Sequence, residues 1–361
     1  MELTALGLAP GATEPGGVSF RATPGALARA NLQLRTASRL LVRRARFTAR
    51  AMGELERKAG QLDWDAWLPR DMPVRWRVTS KKSRLYHQKG IAERLAHAAG
   101  RAVAAPEEEG APDDELGGTG AQQLVVVRVL RDELTVSVDA SGEHLHRRGY
   151  RLATAKAPLR ETLAAALVLA SAWDPAEPLA DPFCGSGTIA IEAAMLARRI
   201  PPGLGRGFAC ERWPGWDGAL VPALRAELRA AILPGARAPI LASDRDAGAV
   251  EAAAGNLERA GVAADVTLRR ATISEFAPSA ARGALVSNPP WGLRVGEARA
   301  LRDLYARLGQ VLRERAPGWS ATLLLPRSPL ERATELPWQT AYTTQAGGVA
   351  VRMVTRGRDQ G

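Results

Sequence analysis

The sequence predicts a two-part α/β protein. A small basic α+β region comes first, and a doubly wound, mostly parallel sheet with a closing antiparallel hairpin follows. Three observations carry this. The chain has 361 residues, too many for one typical domain. Its net charge of +11 is concentrated: between Arg21 and Lys89 there are 17 Lys and Arg against 5 Asp and Glu, so the rest is close to neutral. From about residue 159, short apolar runs of strand type alternate with helical patterns, the order of a doubly wound sheet. The two regions are expected to be 1–150 and 151–361.

In the N-terminal region, PGALARANLQLRTASRLLVRR (24–44) places Leu27, Leu34, Leu40 and Leu41 at helical spacing and predicts a helix. RARFTA reads as a short strand and AMGELERKAGQL as a second helix. VRWRVTS (74–80) alternates Val, Trp and Val with basic partners, a half-exposed strand. LYHQKGIAERLAHAAG is a third helix, ended by Gly100. The acidic, Pro- and Gly-rich stretch at about 105–121 predicts a flexible loop. LVVVRVL and LTVSV then form a hairpin about Arg131-Asp132-Glu133.

Beyond it, LRETLAAALVLASAW is an apolar helix. PLADPFCGSGT is a strand and Gly-rich turn leading into the helix IAIEAAMLARRI. PILASDRD is a strand and turn before the helix AGAVEAAAGNLERAG, and ADVTLRRATISEF is a strand entering a loop. ALVSNPPWG is a strand ending in a turn, DLYARLGQVLRER a helix and ATLLLPR a strand; TAYTTQAGG and VAVRMVTRG close as a hairpin. Ligands in such sheets lie at the carboxyl ends of strands, near the switch in strand order. The Gly-rich turn, Ser243-Asp244 and SNPPWG all fall at such ends and are expected to meet along one edge.

A basic module beside a neutral one suits a polyanion. The plain alternative is an Arg-rich genome that uses Arg for Lys everywhere. Two cysteines, Cys184 and Cys210, make neither a disulfide framework nor a zinc set, so a reduced cytoplasmic setting and no metal are expected. MELTALGLAPGATEPGG has no basic n-region or long apolar stretch, so no signal peptide is expected. No run reaches transmembrane length, and no membrane partner is expected.

Within DPFCGSGT (181–188), Gly185 and Gly187 let the backbone turn tightly and approach a ligand, and the next helix points its first N–H groups at it. A lone Gly-x-Gly is also compatible with a structural turn or half of a dinucleotide fingerprint. The third glycine of that fingerprint is missing, because Thr188-Ile189-Ala190 follows, and there is no P-loop Lys. Asp244 could accept from two ribose hydroxyls or cap the helix starting near Ala247. Asp181 could hold the glycine loop or accept from a ligand amine, and Cys184 reads as a small residue fitting beside Gly185.

Asn288-Pro289-Pro290-Trp291 is the more specific signal. The Asn288 side chain and the Pro289 backbone each offer a carbonyl, and the two prolines fix the dihedrals. Two acceptors aimed into one cleft would hold an –NH₂ group, and Trp291 offers a face on which a nucleobase can stack. A rigid Pro-Pro turn with a core Trp is the plain alternative, and nine tryptophans occur here.

DPFCGSGT with NPPWG resembles the class I S-adenosylmethionine-dependent methyltransferases that modify exocyclic amines. GEHLHRRGYR (142–151), APLRETLAAAL (157–167), IAIEAAMLARRIPPG (189–203) and FACERWPGWD (208–217) are similar to the THUMP-domain RNA guanine-N2 methyltransferases that act on large-subunit rRNA or tRNA. The stretch Gly16 to Leu41 resembles the N-terminal region of the rRNA branch, so the likeness runs through nearly the whole chain. It implies a Rossmann-like methyltransferase domain and a THUMP-type RNA-binding domain. It also implies that Asp181, Phe183, Cys184, Gly185, Ser186, Gly187 and Thr188 line the methionine and ribose part of S-adenosylmethionine, and that Asp244 binds its ribose. Leu159, Thr162, Arg245, Thr272 and Asn288 would border the cofactor, and Asn288, Pro289, Pro290 and Trp291 would hold the target amine and base. Two positions depart from the pattern. Trp291 stands where the family usually has Tyr, Phe or Trp occurring in relatives that act on adenine. Thr272, with Glu275 three residues on, stands where the family tends to carry an acid.

The expected activity is methyl transfer to the N2 amine of an unpaired or flipped guanine in structured RNA, rRNA ahead of tRNA, by a monomer. Arg43, Arg44 and Arg46, and Lys81, Lys82 and Arg84, are candidate RNA-binding clusters, or solvated surface charge. The alternatives are an adenine-N6 methyltransferase, an RNA-binding or ribosome-assembly factor without catalysis, and a nicotinamide-dependent oxidoreductase, which the missing glycine disfavours.

Overall fold

The structure, a computed structural model, describes all residues except 15, 102–121, 152–158, 293–297, 328 and 359–361. The predicted acidic loop therefore lies outside the described residues. The chain divides into two compact units: Met1–Leu145 with Gly203–Glu227, and His146–Pro202 with Leu228–Gly361.

The first unit opens with a short helix, α1 (Glu2–Ala5), and an antiparallel ribbon, β1 (Pro10–Glu14) and β2 (Gly17–Phe20). Helix α2 (Pro24–Gln33) starts with Pro at its first position, and the Thr23 hydroxyl accepts from the Ala26 N–H at 3.2 Å. The helix expected over 24–44 ends eleven residues early. Leu34 is already extended, and the amides of Arg35 and Thr36, which would continue the helix, donate to the Glu2 carboxylate at 2.7 and 3.1 Å. Leu40 is buried and Leu41 begins a strand, so both serve the sheet.

That sheet contains β3 (Leu41–Thr48), β4 (Val74–Lys81), β5 (Gln123–Leu130) and β6 (Glu133–Asp139) in the order β3-β6-β5-β4, antiparallel except for β4 beside β5. Helices α3 (Met52–Ala59) and α4 (Gln88–Ala98) pack on each other, and α4 packs on β4. The expected hairpin is present, with Arg131 and Asp132 at φ 52° and 65°.

Residues 203–227 also belong to this unit, although the sequence reading placed them beyond the boundary at 150. Hydrogen bonds that pattern cannot reveal hold them there. The Gly203 amide donates to the Leu32 carbonyl at 2.9 Å, the Cys210 amide to Ala140 at 3.1 Å, and the buried Trp213 indole N–H to Gln123 Oε1 at 2.9 Å.

The second unit is a seven-stranded sheet. Helices α5 (Glu161–Ala170), α6 (Thr188–Ala197), the end of α7 (Leu220–Ala230), α8 (Ala247–Arg259) and α9 (Ala298–Glu314) alternate with strands β7 (Leu179–Asp181), β8 (Ile240–Asp244), β9 (Val266–Arg270), β10 (Gly283–Ser287), β11 (Trp319–Pro326), β12 (Gln339–Ala346) and β13 (Val349–Arg356). The order is β12-β13-β11-β10-β7-β8-β9, parallel from β9 to β11 with an antiparallel closing pair. Both faces are covered. Ala284 and Val286 of β10 join one apolar cluster with α5, α6 and Leu257 of α8, whereas Leu285 between them joins another with α9. A strand buried on both faces reads as an apolar run, as Ala284–Val286 of β10 and Leu323–Leu325 of β11 do. The outer strand β12 is exposed and carries Thr, Gln and Tyr, which suits an edge. The chain passes from β7 outward to β8 and β9, then returns to place β10 on the other flank of β7. The switch point is therefore between β7 and β10.

Candidate active site

The three predicted strand-end features meet at this switch point. The amide of Gly185, in the turn after β7, donates to Asp244 Oδ2 at the end of β8 at 3.0 Å, and the Cys184 amide donates to the Ser243 carbonyl at 3.0 Å. On the other flank, the Ser287 hydroxyl at the end of β10 donates to Asp181 Oδ1 at the end of β7. Gly185 and Gly187 have φ of 52° and 83°. A Cβ on Gly187 would also lie 3.1 Å from the Ala253 methyl, so the second glycine is required by conformation and by packing. The buried Asn256 amide donates to the Ser186 carbonyl at 3.0 Å and fixes the loop from α8.

Asp181 holds the glycine loop through one oxygen and leaves the other without a donor. Its Oδ1 holds the loop, accepting from the Phe183 amide at 3.3 Å as well as from Ser287. Its Oδ2 is buried and has no hydrogen-bond partner among the described residues. Burial pushes this carboxyl up to about 7; the Ser287 and Phe183 bonds pull it down and the Asp244 charge adds to the rise. A buried carboxylate oxygen without a donor is costly, and a ligand ammonium would satisfy it.

Asp244 is not the helix cap. Asp246 caps α8, its Oδ1 accepting from Gly248 and Ala249 at 2.8 and 3.3 Å. Asp244 instead accepts from the Gly185 and Asp246 amides, each at 3.0 Å, which fixes the carboxylate at the strand end. Burial, with Asp181 and Asp244 nearby, pushes the Cys184 thiol well above its ordinary range, so it acts as a small packed side chain. Thr162, Ser186 and Thr188 are buried, and Leu159 packs against the core cluster of α5 and α6.

Next to Asp244, an open cleft of about 800 Å³ is lined by Arg245, Asp246, Ala247, Arg270, Ala271, Thr272 and Glu275. Glu275, three residues after Thr272, brings a carboxylate to this cleft. Its Oε2 accepts from the Thr272 amide and hydroxyl at 2.8 and 2.9 Å, and the backbone bond, followed by the hydroxyl bond, holds its pKa below the usual carboxylate range.

At the other end, Asn288 Oδ1 is buried and also lacks a partner among the described residues. The Tyr305 hydroxyl on α9 donates to the Pro290 carbonyl at 3.2 Å and anchors this turn. Trp291 is half-buried, packs against the core and donates its indole N–H to the Leu324 carbonyl at 3.1 Å. Gly292 follows at φ 65°, where a Cβ would collide with Leu301. Sequence reasoning missed Ser287, Asn256 and Tyr305. Only the hydroxyl of Tyr305 amid the apolar stripe of its helix hinted at a buried partner.

The basic clusters fare differently. Arg43 pairs with Glu14 at 3.1 Å and Arg46 with Glu133 at 2.6 Å, while the Arg44 guanidinium lies 4.9 Å from the centre of the Trp213 ring with its pKa lowered by burial. Arg44 is thus a packing residue. Lys81, Lys82 and Arg84 are exposed, with no ion pair among the described residues.

Comparison with known proteins agrees with this geometry. Residues 148–352 match the family described as RMKL-like, methyltransferase domain, and residues 1–41 match the RlmL ferredoxin-like domain. The chain is 36% identical over 326 residues to a protein of Bacillus subtilis (strain 168) named "Putative RNA methyltransferase YpsC", covering 88% of this chain and 82% of that one. It is 32% identical over 368 residues to "Ribosomal RNA large subunit methyltransferase K/L" of Syntrophotalea carbinolica, where it spans 98% of its own length and 51% of the relative's. Among solved structures, a "putative methyltransferase complexed with SAH" superposes with a TM-score of 0.84 at 31% identity, over 100% of this chain and 94% of that one. A protein of Listeria monocytogenes named as a "predicted N6-adenine-specific DNA methylase" gives 0.81 at 33%, over 98% and 91%.

Proposed function

The chain belongs to the RMKL-like methyltransferase family, and from that premise we propose that it transfers a methyl group from S-adenosylmethionine to the exocyclic N2 amine of a guanine in RNA, with large-subunit ribosomal RNA as substrate. The observation that carries the reading is a pair of buried oxygens without donors, Asp181 Oδ2 and Asn288 Oδ1, at the ends of neighbouring strands β7 and β10. One suits the ammonium of the cofactor and the other the amine of the base. The RNA substrate is supported by the names of the Bacillus and Syntrophotalea relatives.

The residues present fit the cofactor. Asp181 and the loop from Phe183 to Thr188 would hold its methionine part, Asp244 its ribose, and Glu275 with Thr272 its adenine. When bound, the cofactor supplies an electrophilic methyl on a sulfonium, so the protein's task is positioning. Asn288 Oδ1 and the Pro289 carbonyl accept the two amine protons. A conjugated amine is planar in its ground state and pyramidal as its nitrogen attacks. Acceptors set for the second shape lower the barrier by preferring it. With the cofactor bound, Asn288 Oδ1 and the Pro289 carbonyl would hold the nitrogen while it takes the methyl from the sulfonium, which would depart as a neutral thioether, and the extra proton would pass from the nitrogen to water. Trp291, tethered by its N–H, keeps its ring in place for stacking.

One observation favours a second base. Trp291, in place of the family's usual Tyr, and the name of the Listeria protein suit adenine N6. Incubation with labelled S-adenosylmethionine and synthetic RNAs rich in unpaired guanine or adenine, followed by nucleoside analysis, separates the two. N2-methylguanosine is the expected product, and N6-methyladenosine alone would replace this reading with the second.

A further inference from the structure

Tyr86 is 79% exposed, more than any other aromatic residue among those described. It does not sit on a loose loop. Leu85 beside it is buried at 4% exposure, and the Ser80 hydroxyl donates to the Leu85 carbonyl. Two residues earlier, the Arg84 amide donates to Asp132 Oδ1 at 2.7 Å, and the Asp132 amide donates to the Ser83 hydroxyl at 3.1 Å, which ties the loop to the β5–β6 turn. Lys82, Arg131 and Asp132 all hold left-handed backbone angles, φ 52°, 52° and 65°. Non-glycine residues keep such angles only where the surroundings enforce them. On the far side, His87 Nδ1 accepts from the Gly90 amide at 3.0 Å and starts α4. The backbone on either side of Tyr86 is thus fixed, and its ring is turned to solvent.

Its frame is cationic. Lys81, Lys82, Arg84, Lys89 and Arg131 are exposed, and none has an ion pair among the described residues. Arg43 and Arg46 of the same unit, by contrast, are paired with acids. Asp132, the acid tied to this loop, is engaged by the Arg84 amide and by Arg50, so cations are in excess around the exposed ring and match a ligand that has a π surface and negative charge close by. An unpaired nucleotide is such a ligand: its base stacks on the ring and the flanking phosphates meet the cations.

Resting on the RNA reading above, we propose that Tyr86 with Lys81, Lys82, Arg84 and Lys89 forms a second nucleotide site, which stacks an unpaired base of the substrate RNA away from the base that is methylated.

The test is fluorescence anisotropy on the full chain with a labelled RNA hairpin bearing a short single-stranded tail, and with the same hairpin lacking the tail. Tyr86→Ala should weaken binding of the tailed RNA by about 5- to 100-fold, the loss of one stacked base. It should leave the untailed RNA, the salt dependence and the melting temperature unchanged, and Tyr86→Phe and Tyr86→Trp should restore binding. Lys82→Ala with Arg84→Ala should weaken both RNAs and reduce the salt slope by about 2. Equal binding of the tailed RNA by wild type and Tyr86→Ala, with wild type binding RNA well, would overturn this site and leave the methyltransferase reading intact. Wild-type binding to neither RNA would sink both. Tyr86-dependent binding to phosphatidylglycerol vesicles, with no Tyr86 effect on RNA, would reassign the patch to a membrane surface.

Discussion

At the scale of single residues the account rests on two oxygens. Asn288→Ala removes an acceptor that the account uses only on the amine, so transfer should fall by about 10²-fold or more while S-adenosylhomocysteine still binds within a few-fold in calorimetry. Retained turnover would refute the role of Asn288. Asp181 predicts a pH dependence. Its folded pKa, raised by burial to about 7, means that the free protein carries a proton there in mildly acidic solution. A ligand ammonium prefers the carboxylate, so binding must release that proton. Cofactor affinity should therefore rise as pH increases from about 5 to about 7 and then level off, and Asp181→Asn should remove the dependence. Calorimetry near pH 6 in buffers of different ionisation enthalpy reads the released proton directly. Ser287→Ala, by removing a donor to the charged form, should move the midpoint to higher pH. Glu275→Gln should weaken cofactor binding by about 3- to 30-fold if that carboxylate contacts the cofactor. Affinity equal to wild type would leave Glu275 as no more than a partner of Thr272.

Among the elements, the turn after β10 depends on a helix that follows it in sequence. Tyr305 of α9 is fully buried and donates to the Pro290 carbonyl. Tyr305→Phe keeps the packing and deletes that bond. The expected result is a loss of roughly 0.5–1.5 kcal/mol in stability and a fall in kcat with little change in cofactor affinity; an unchanged kcat would detach Tyr305 from the site. This bond also shows where sequence reasoning runs out. The alternation of strands and helices from residue 159 was legible because β10 and β11 carry short apolar runs, Ala284–Val286 and Leu323–Leu325, and α6 is buried on nearly every side. The meeting of DPFCGSGT, Asp244 and NPPWG was legible because strand ends in a doubly wound sheet share one edge. Side-chain partners across that edge, such as Ser287 with Asp181, depend on register, which no local pattern carries. The over-long helix at 24–44 failed for the same reason, since the carboxylate that ends it comes from Glu2. Asp244 could not be told from a cap because Asp246 stands two residues on, and either carboxylate could have begun α8.

For the molecule as a whole, the charge asymmetry read from composition survives in altered form. The basic region is a real sheet-and-helix unit, but its arginines on β3 are largely matched by acids or by Trp213, and the uncompensated cations gather at the end of β4. RNA affinity should therefore fall steeply with salt through the Lys81–Arg84 end more than through β3. Lys81→Ala with Lys82→Ala should flatten the slope of log affinity against log salt by about 2, and Arg43→Ala by well under 1. Equal slopes for the two variants would return the β3 arginines to the RNA-binding surface.

Guanine N2 of large-subunit ribosomal RNA is the target proposed for this chain. Nucleoside mass mapping of rRNA and tRNA from a strain lacking the gene, complemented with wild type or with Asn288→Ala, tests it most directly. The account predicts that one N2-methylguanosine disappears from large-subunit rRNA and returns with wild type but not with Asn288→Ala. Loss of a methylated adenine instead, or unchanged N2-methylguanosine in every RNA, would contradict it.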